Sequence, residues 1–391
     1  MSKPTSDCRA TERKHLWPMV RLGDVCGTIN GIWKGLRKPF VHVGIIRSSN
    51  MTKNCEFSLD KTIYIDVEEK KYKQRKLLAG DIIVERSGGG PGQPVGRAVY
   101  FDLEDGEYSV SNFTSILRVK DANALNGKFL QLYLTSQYFQ GATENIQSNT
   151  TGLHNLDFDA YLNFDVPLPP LSEQKEIVAR LERELAAVEK MKKGFESLAE
   201  TAKAEFKAEL KEVFEYSCSC EKTWDEVFNT ATGKLDSNRA IPDGIYPFFT
   251  CSKHPLRINE WAFDCEALLL AGNNAAGKYD VKHYVGKFNA YQRTYVLTLK
   301  NAGWEYKLFQ AQLENLLQYL QDRSKGTSTR YLTMGILKTL RFYVPEPSVQ
   351  REVVARLDLA KARAEKLEAK AREGVAVCET MRKAILKEAF E

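Results

Sequence analysis

The sequence predicts an α+β protein in which two mixed domains alternate with two long helices, arranged as a pseudo-twofold internal repeat. The first observation behind this is a self-match. Slid by 176 positions (Gln350 minus Gln174), SEQKEIVARL at 172–181 falls on SVQREVVARL at 348–357, and the register holds without a gap to KAELKEVF at 207–214 over KAILKEAF at 383–390. Ungapped self-similarity marks repeated structural units. The second is a proline signal before each copy, PLPPLSEQ and VPEPSVQ. Each is followed by a proline-free run of about forty residues rich in Ala, Glu, Lys, Leu and Arg, a composition that favours long helix. The third is the region before each helix, β-branched and punctuated by Gly, Asp and Asn as strands and turns are.

In the second long helix the small and apolar positions step by four and three: Val353, Leu357, Ala360, Ala364, Leu367, Ala371, Gly374, Cys378, Met381 and Ile385. This is a coiled-coil seam. The first helix carries Ile177, Leu181, Val188, Met191, Phe195, Leu198 and Ala202 in the same phase and breaks it near Phe206 and Leu210, as a stutter would. One helix is Ala-rich and the other carries Met and Phe, so bulky side chains are expected to settle against small ones. At 1.5 Å per residue each helix would reach roughly 60 Å, the length of a ruler.

In chain order, residues 1–14 form a polar tail that is not a secretory leader. Residues 15–166 form a first domain. WPMVRLGDVCGTING gives a short strand and a Gly-rich turn, and FVHVGIIRSS, KTIYIDV, GDIIVERSG, VGRAVYF and EYSVSNFTSILRV give one strand each. NGKFLQLYLTSQYFQGA then reads as a helix with Phe129, Leu130, Tyr133, Leu134 and Phe139 on its apolar side, and SNTTG at 148–152 as a loop. The central helix occupies 167–216. Residues 217–343 repeat the first domain more loosely: IYPFFTCS, ALLLAG and FNAYQRTYVLTLK as strands, EYKLFQAQLENLLQYLQ as a helix and DRSKGTSTR as a polar loop. FYVP at 342–345 then meets FDVP at 164–167, and the last helix takes 344–391.

Composition narrows the function. A hydrophobic fraction of 43% supplies packed cores, and the net charge of +5 favours acidic partners. No apolar run reaches membrane-spanning length. The eight cysteines never form CxxC, and only five histidines accompany them. That pattern indicates free thiols in a reducing cytoplasm, without structural zinc or disulfides.

The order domain–helix–domain–helix, the PLPPLSEQKEIVARL junction with its second copy VPEPSVQREVVARL, and the WPMVRLGDV opening together resemble the specificity subunit of type I restriction–modification systems, over essentially the full length. The resemblance implies two target-recognition domains, each reading one half of a split double-stranded DNA sequence. It implies that the long helices pack antiparallel between them, hold them apart and bind two modification (adenine methyltransferase) subunits. Restriction (translocase and endonuclease) subunits would join through the methyltransferase, and S-adenosylmethionine, ATP and Mg would sit on the partners, with no cofactor on this chain. The second junction departs from the pattern: VPEP lacks two residues of PLPPL, and Val349 stands in place of the Glu173 acid, which touches only the local turn. A specificity subunit whose modification and cleavage functions share one partner chain is the nearest alternative. A coiled-coil scaffold that binds no DNA is another, and an enzyme a third.

The enzyme alternative rests on weak motifs. GNNAAGK at 272–278 imitates a P-loop, but Tyr279 stands where Ser or Thr must hold Mg²⁺. Pro242-Asp243 with Asp280 and Lys282 imitates a nuclease set, but Pro-Asp-Gly is turn composition. The SGGGPGQPVG stretch at 87–96 matches no dinucleotide fingerprint, and its glycines suit tight turns. The chain is therefore expected to catalyse nothing. DNA contact fits better, because polar loops mix cations with amides: Lys34, Arg37 and Lys38 beside Trp33; Arg47 and Asn50 after a strand; Arg86 and Arg97 flanking the glycines. The second domain offers Lys234, Asn238, Arg239, Lys253, Arg257, Asn273, Asn274, Lys278, Lys282, Arg323, Lys325 and Arg330. Arg reads guanine and Asn reads adenine, while Lys holds phosphate. Any one of these alone is ordinary surface charge; the clustering carries the expectation.

Overall fold

The computed structural model describes residues 17–89, 92–150, 153–215, 221–275 and 277–391. The polar tail, Cys218, Cys220, residues 90–91 and 151–152 and Ala276 lie outside the described residues. The chain divides into two compact units, Met1–Lys193 with Val375–Glu391 and Gly194–Gly374. Each therefore holds one mixed domain and a portion of both long helices, Leu171–Glu215 and Pro347–Glu388.

In the first unit a four-stranded antiparallel sheet runs Cys26–Asn30, Thr114–Val119, Ile82–Glu85, Ala98–Tyr100. Both of its faces are covered, which is why IIVE at 82–85 is continuously buried instead of alternating. Ile82, Val84, Ala98 and Leu117 pack with Phe129 and Leu130 of the Gly127–Phe139 helix, and with Leu181 and Leu185 of the first long helix and Leu386 of the second. Ile83, Val99 and Ile116 pack on the opposite face with Ile46, Phe101 and Val110. A three-stranded sheet, Ile63–Glu68, Phe40–Ile46, Tyr108–Val110, lies beyond that second core.

The second unit is built alike around a six-stranded sheet in the order Phe228–Thr232, Thr294–Leu299, Phe263–Ala271, Val281–Ala290, Tyr246–Phe249, Leu256–Ile258. Trp224, Phe228, Leu268, Leu297, Phe309 and Phe342 fill one face, and Phe249, Leu269, Phe288 and Val296 the other.

Local corrections each have a cause. EYSVSNFTSILRV is two strands in two sheets. Ser111 closes a turn by accepting from the Thr114 amide (3.0 Å), because Ser-Asn supplies turn chemistry inside an otherwise β-like run. FNAYQRTYVLTLK divides in the same way, with the Thr294 amide donating to the Tyr291 carbonyl (2.8 Å). The helix expected over 305–321 is two, Tyr306–Asn315 and Leu317–Arg323, broken after Asn315, a poor helix former. SNTTG is strand, not loop, over 148–150, since Gln147–Thr150 pairs antiparallel with Leu153–Leu156, and its remaining residues lie outside the described ones. Single helical turns at Leu22–Val25 and Trp224–Val227 follow the opening strands. A short helix at Glu69–Arg75, which buries Tyr72, had no apolar periodicity to betray it.

Within each unit the long helices run antiparallel. In the first, Lys192 meets Glu379 (3.6 Å) while Leu181 and Leu185 share a core with Leu386 and Ala389. In the second, Leu210 and Val213 pack with Leu357 and Val353, and Arg356 donates to Glu212 (2.9 Å) and also pairs with Glu209. Ile177, Leu181, Val188, Leu357 and Cys378 are buried in the seam, and Phe195, Leu198, Val353, Leu367 and Ile385 are half-buried. Met191 and Met381 depart from the expected seam, being 43% and 39% exposed. The positions one residue later turn inward instead, Lys192 beside Glu379 and Arg382 beside Glu56, with their hydrocarbon stems covering the seam.

Candidate nucleic-acid interface

In the first unit the polar loops meet around the Ser111–Phe113 turn. Gly31, just past the opening strand, lies so close that a Cβ there would stand 2.0 Å from the Ser111 carbonyl oxygen. The Arg86 and Ser87 amides both donate to the Phe113 carbonyl (2.8 and 3.2 Å). Ser87–Gly88 pairs with His154–Asn155, and the Ser87 hydroxyl bonds Asn155 Oδ1 (2.7 Å). Gly88, Gly89, Gly92 and Gly96 in the glycine loop all have left-handed φ, the tight-turn role their composition suggested. Lys34, Arg37 and Lys38 are exposed and make no ion pair among the described residues.

Three expected contacts in this unit are spent inside the fold. Arg97 is only 5% exposed: its Nε and Nη2 grip the fully buried Glu85 carboxylate (2.8 and 2.6 Å), and Nη1 donates to the Met51 carbonyl (2.8 Å). Burial works against the guanidinium charge, and the Glu85 carboxylate outweighs it, so Arg97 stays protonated. Asn50, 1% exposed, caps the Arg47 amide (3.0 Å) and donates to the Ser58 carbonyl (2.9 Å) and to Thr62 Oγ1 (3.1 Å). Arg47 is half-buried and donates to the Lys61 carbonyl (2.9 Å). Arg86 is intermediate, lying over the Phe158 ring at 4.6 Å and donating to Asn30 Oδ1 (3.2 Å).

The second unit repeats the arrangement around Tyr291–Arg293. Gly233 presses on this turn as Gly31 does on its own, a Cβ falling 1.7 Å from the Ala290 carbonyl oxygen. The Gly272 amide and the Cys251 thiol both reach the Arg293 carbonyl (2.8 and 3.6 Å). Asn273 and Asn274 pair with Tyr331 and Arg330, and Lys325 and Tyr331 exchange backbone bonds. Segments 251–253, 272–275, 277–278, 291–293 and 324–331 thus converge, bringing Lys253, Lys278, Lys325 and Arg330 together with the two asparagines. Those four cations make no ion pair among the described residues. The loop with Lys234, Asn238 and Arg239 joins through the Leu235–Tyr291 bridge and a Gln292–Asp236 bond (3.4 Å). Arg239 faces Glu260 at 4.0 Å, Arg257 donates to the Ile245 carbonyl (3.2 Å), and Arg323 lies over the Tyr319 ring at 4.4 Å. Lys282 leaves the contact set: it is paired with Asp280, donates to the Ser252 carbonyl (3.0 Å), and keeps 17% of its side chain exposed.

The near-P-loop does not form a phosphate cradle. Asn273–Asn274 is a strand, the Lys278 amide donates to Asn274 Oδ1 (3.3 Å), and the chain continues into the strand Val281–Ala290, not into a helix. Asp243 belongs to an exposed turn closed from the Gly244 amide to the Ile241 carbonyl (3.0 Å). Among the described residues no group of three His, Cys, Asp or Glu side chains is placed to hold a metal, and Cys26, Cys55, Cys251, Cys265 and Cys378 are free thiols.

The family model of the type I restriction modification DNA specificity domain matches residues 14–194 and again 220–374. The chain belongs to this family. A type I restriction enzyme EcoDI specificity subunit of Escherichia coli is 37% identical over 163 residues, 41% of this chain and 35% of that relative. The match thus spans about a third of the relative's length. A chain from a structure of type I restriction–modification complex assembly and conformational transition aligns with a TM-score of 0.74 at 18% identity, covering 96% of this chain and 97% of that one. The HsdS subunit of Thermoanaerobacter tengcongensis aligns at 0.57 and 18%, covering 98% of each chain. Both share its fold.

For a member of the specificity family, the two matched repeats present one construction twice: a glycine pressed on a turn, with a two-residue strand beside it. Arg293 and Phe113 sit at the equivalent turns, Arg293 exposed and Phe113 54% exposed. The sequence hid both by merging each turn into its neighbouring strands. The signal available was the polar run before a threonine, SNFT and YQRT.

Proposed function

We propose that this chain is the specificity subunit of a type I restriction–modification complex. Each domain reads one half of a bipartite double-stranded DNA sequence, and the chain positions two adenine-N6 methyltransferase subunits and, through them, the restriction subunits, in the cytoplasm. The observation that carries this is the doubled family match, with exposed loop cations in each repeat. In the first domain the contact set is Lys34, Arg37 and Lys38, with Arg86 at its margin. In the second it is Lys234, Asn238, Arg239, Lys253, Arg257, Asn273, Asn274, Lys278, Arg323, Lys325 and Arg330, joined by Arg293. The chain supplies no nucleophile or cofactor of its own; S-adenosylmethionine, ATP and Mg belong to the partners. The strand Asn273–Asn274 and the run of the chain into the strand Val281–Ala290 support this, because a nucleotide would find no helix N-terminus there.

The test exchanges residues 15–165 for the matching region of a relative and sequences the methylation motif that the assembled complex writes. One half of the motif should change and the other should persist. A change in both halves, in a complex that assembles normally, would refute independent reading. ATP or DNA hydrolysis by the purified chain alone would refute the non-catalytic assignment.

A further inference from the structure

We infer that the loop Trp33–Lys38 is an apolar wedge: Leu36, beside Trp33, enters between stacked base pairs while Lys34, Arg37 and Lys38 hold the flanking phosphates. This rests on the DNA-recognition reading above and adds a distortion of the duplex to it.

Leu36 is 88% exposed and Trp33 71%, in a domain whose other large apolar groups mostly fill three cores. A side chain left in water at that extent gains nothing for folding. The loop is nevertheless held from both sides. At its start Ile32 is buried, its amide donates to the Val110 carbonyl (2.8 Å), and Arg75 donates to the Gly31 carbonyl. At its tip the Gly35 amide donates to the Asp66 carbonyl (3.0 Å) and the Leu36 amide to Glu68 Oε1 (3.1 Å). Gly35 sits so near this strand that a Cβ would meet the Glu68 nitrogen at 2.5 Å. The backbone is therefore fixed and the apolar tip is presented.

The charge around it selects the occupant. Glu68 is engaged by the Leu36 amide and by Lys71 (3.2 Å), and Asp66 by His42 (3.0 Å). The neighbouring acids are thus answered, whereas the three loop cations are not. Apolar tips flanked by cations suit a polyanion whose interior is apolar, which describes stacked bases between phosphate strands. Insertion unstacks a step and is repaid by contacts to the bent duplex. The loop also leaves the strand end at Asn30, which Arg86 bonds (3.2 Å), so Arg86 adjoins the loop in the same contact set.

The experiment uses the full chain assembled with its methyltransferase subunits and a duplex carrying 2-aminopurine, scanned across the half-site but never at the methylated adenine. Wild type should brighten the probe several-fold at one step. Leu36→Ala should abolish that rise and weaken binding by about 10-fold, while Leu36→Met keeps both. Lys34→Ala, Arg37→Ala and Lys38→Ala should each lower the salt slope of binding by about 0.9. An equal rise with Leu36→Ala and wild type, both bound to the site, would overturn the wedge and leave DNA recognition standing. Failure of the wild-type complex to bind any duplex would overturn both. If Leu36→Ala instead loses the methyltransferase while binding the site unchanged, the loop is a protein contact and the wedge is wrong.

Discussion

Two glutamines show at the residue scale why the repeat keeps its register. Gln174 and Gln350, both 0% exposed, stand in the second turn of the two long helices. Gln174 donates to the carbonyls of Pro169 (2.8 Å) and Ala124 (2.9 Å) and accepts from the Asn126 amide (2.8 Å). Gln350 donates to the Pro345 carbonyl (2.7 Å) and accepts from the Glu305 amide (2.9 Å). Each ties its helix to the proline junction and to the start of a domain helix. Gln174→Ala should leave buried backbone groups unpaired and cost about 1–3 kcal/mol for each, read as a lower denaturation midpoint with an unchanged m-value. Arg97→Ala should behave unlike a DNA-contact mutation. It strands the buried Glu85 carboxylate, so about 3–5 kcal/mol of stability should go, visible in thermal unfolding without DNA. Lys38→Ala should leave unfolding unmoved.

At the scale of elements, the helix pair rests on size complementarity. Gly374 faces Phe195, and a Cβ there would stand 2.5 Å from the ring; Gly194 has nothing within 4 Å. Alanine normally stabilises a helix interior by about 1 kcal/mol relative to glycine. Gly194→Ala should therefore raise the melting temperature, while Gly374→Ala should lower it because Phe195 must move; unfolding of the two variants measures the difference. The strand runs teach the complementary lesson. β-propensity was legible in EYSVSNFTSILRV, but the turn inside it was not, because residues on both sides of that turn are equally β-like. Only the pairing of Tyr108–Val110 with one sheet and Thr114–Val119 with another separates them.

For the whole molecule, the proposed ruler role of the helices predicts the spacing of the two half-sequences. One heptad added to each long helix, after Lys193 and after Gly374, keeps the seam in phase and lengthens each by about 10 Å at 1.5 Å per residue. The unread spacer should then grow by about three base pairs at 3.4 Å each, with both half-sequences intact. Methylation motifs written by wild type and variant, sequenced with the same partners, decide it; an unchanged spacer in an active variant would refute the ruler. The sites for insertion matter, since residues added near Leu171 would pull Gln174 from its partners.

The sequence by itself determined the repeat, the two long helices, most of the seam and the division into alternating mixed and helical segments. These are written in composition and in local periodicity, which a one-dimensional string preserves. Tertiary structure alone decided which cations are available. Arg97 and Lys34 look alike as loop cations, yet one is buried on Glu85 and the other stands in solvent. Availability depends on whether a carboxylate or carbonyl distant in the chain arrives within about 3 Å, the reach of a hydrogen bond. Glu85 and Met51 reach Arg97 through sheet pairing and a loop crossing, neither of which has a local signature. Leu36 was hidden for the same reason: an apolar residue in a loop says nothing of its exposure until the rest of the domain has failed to cover it.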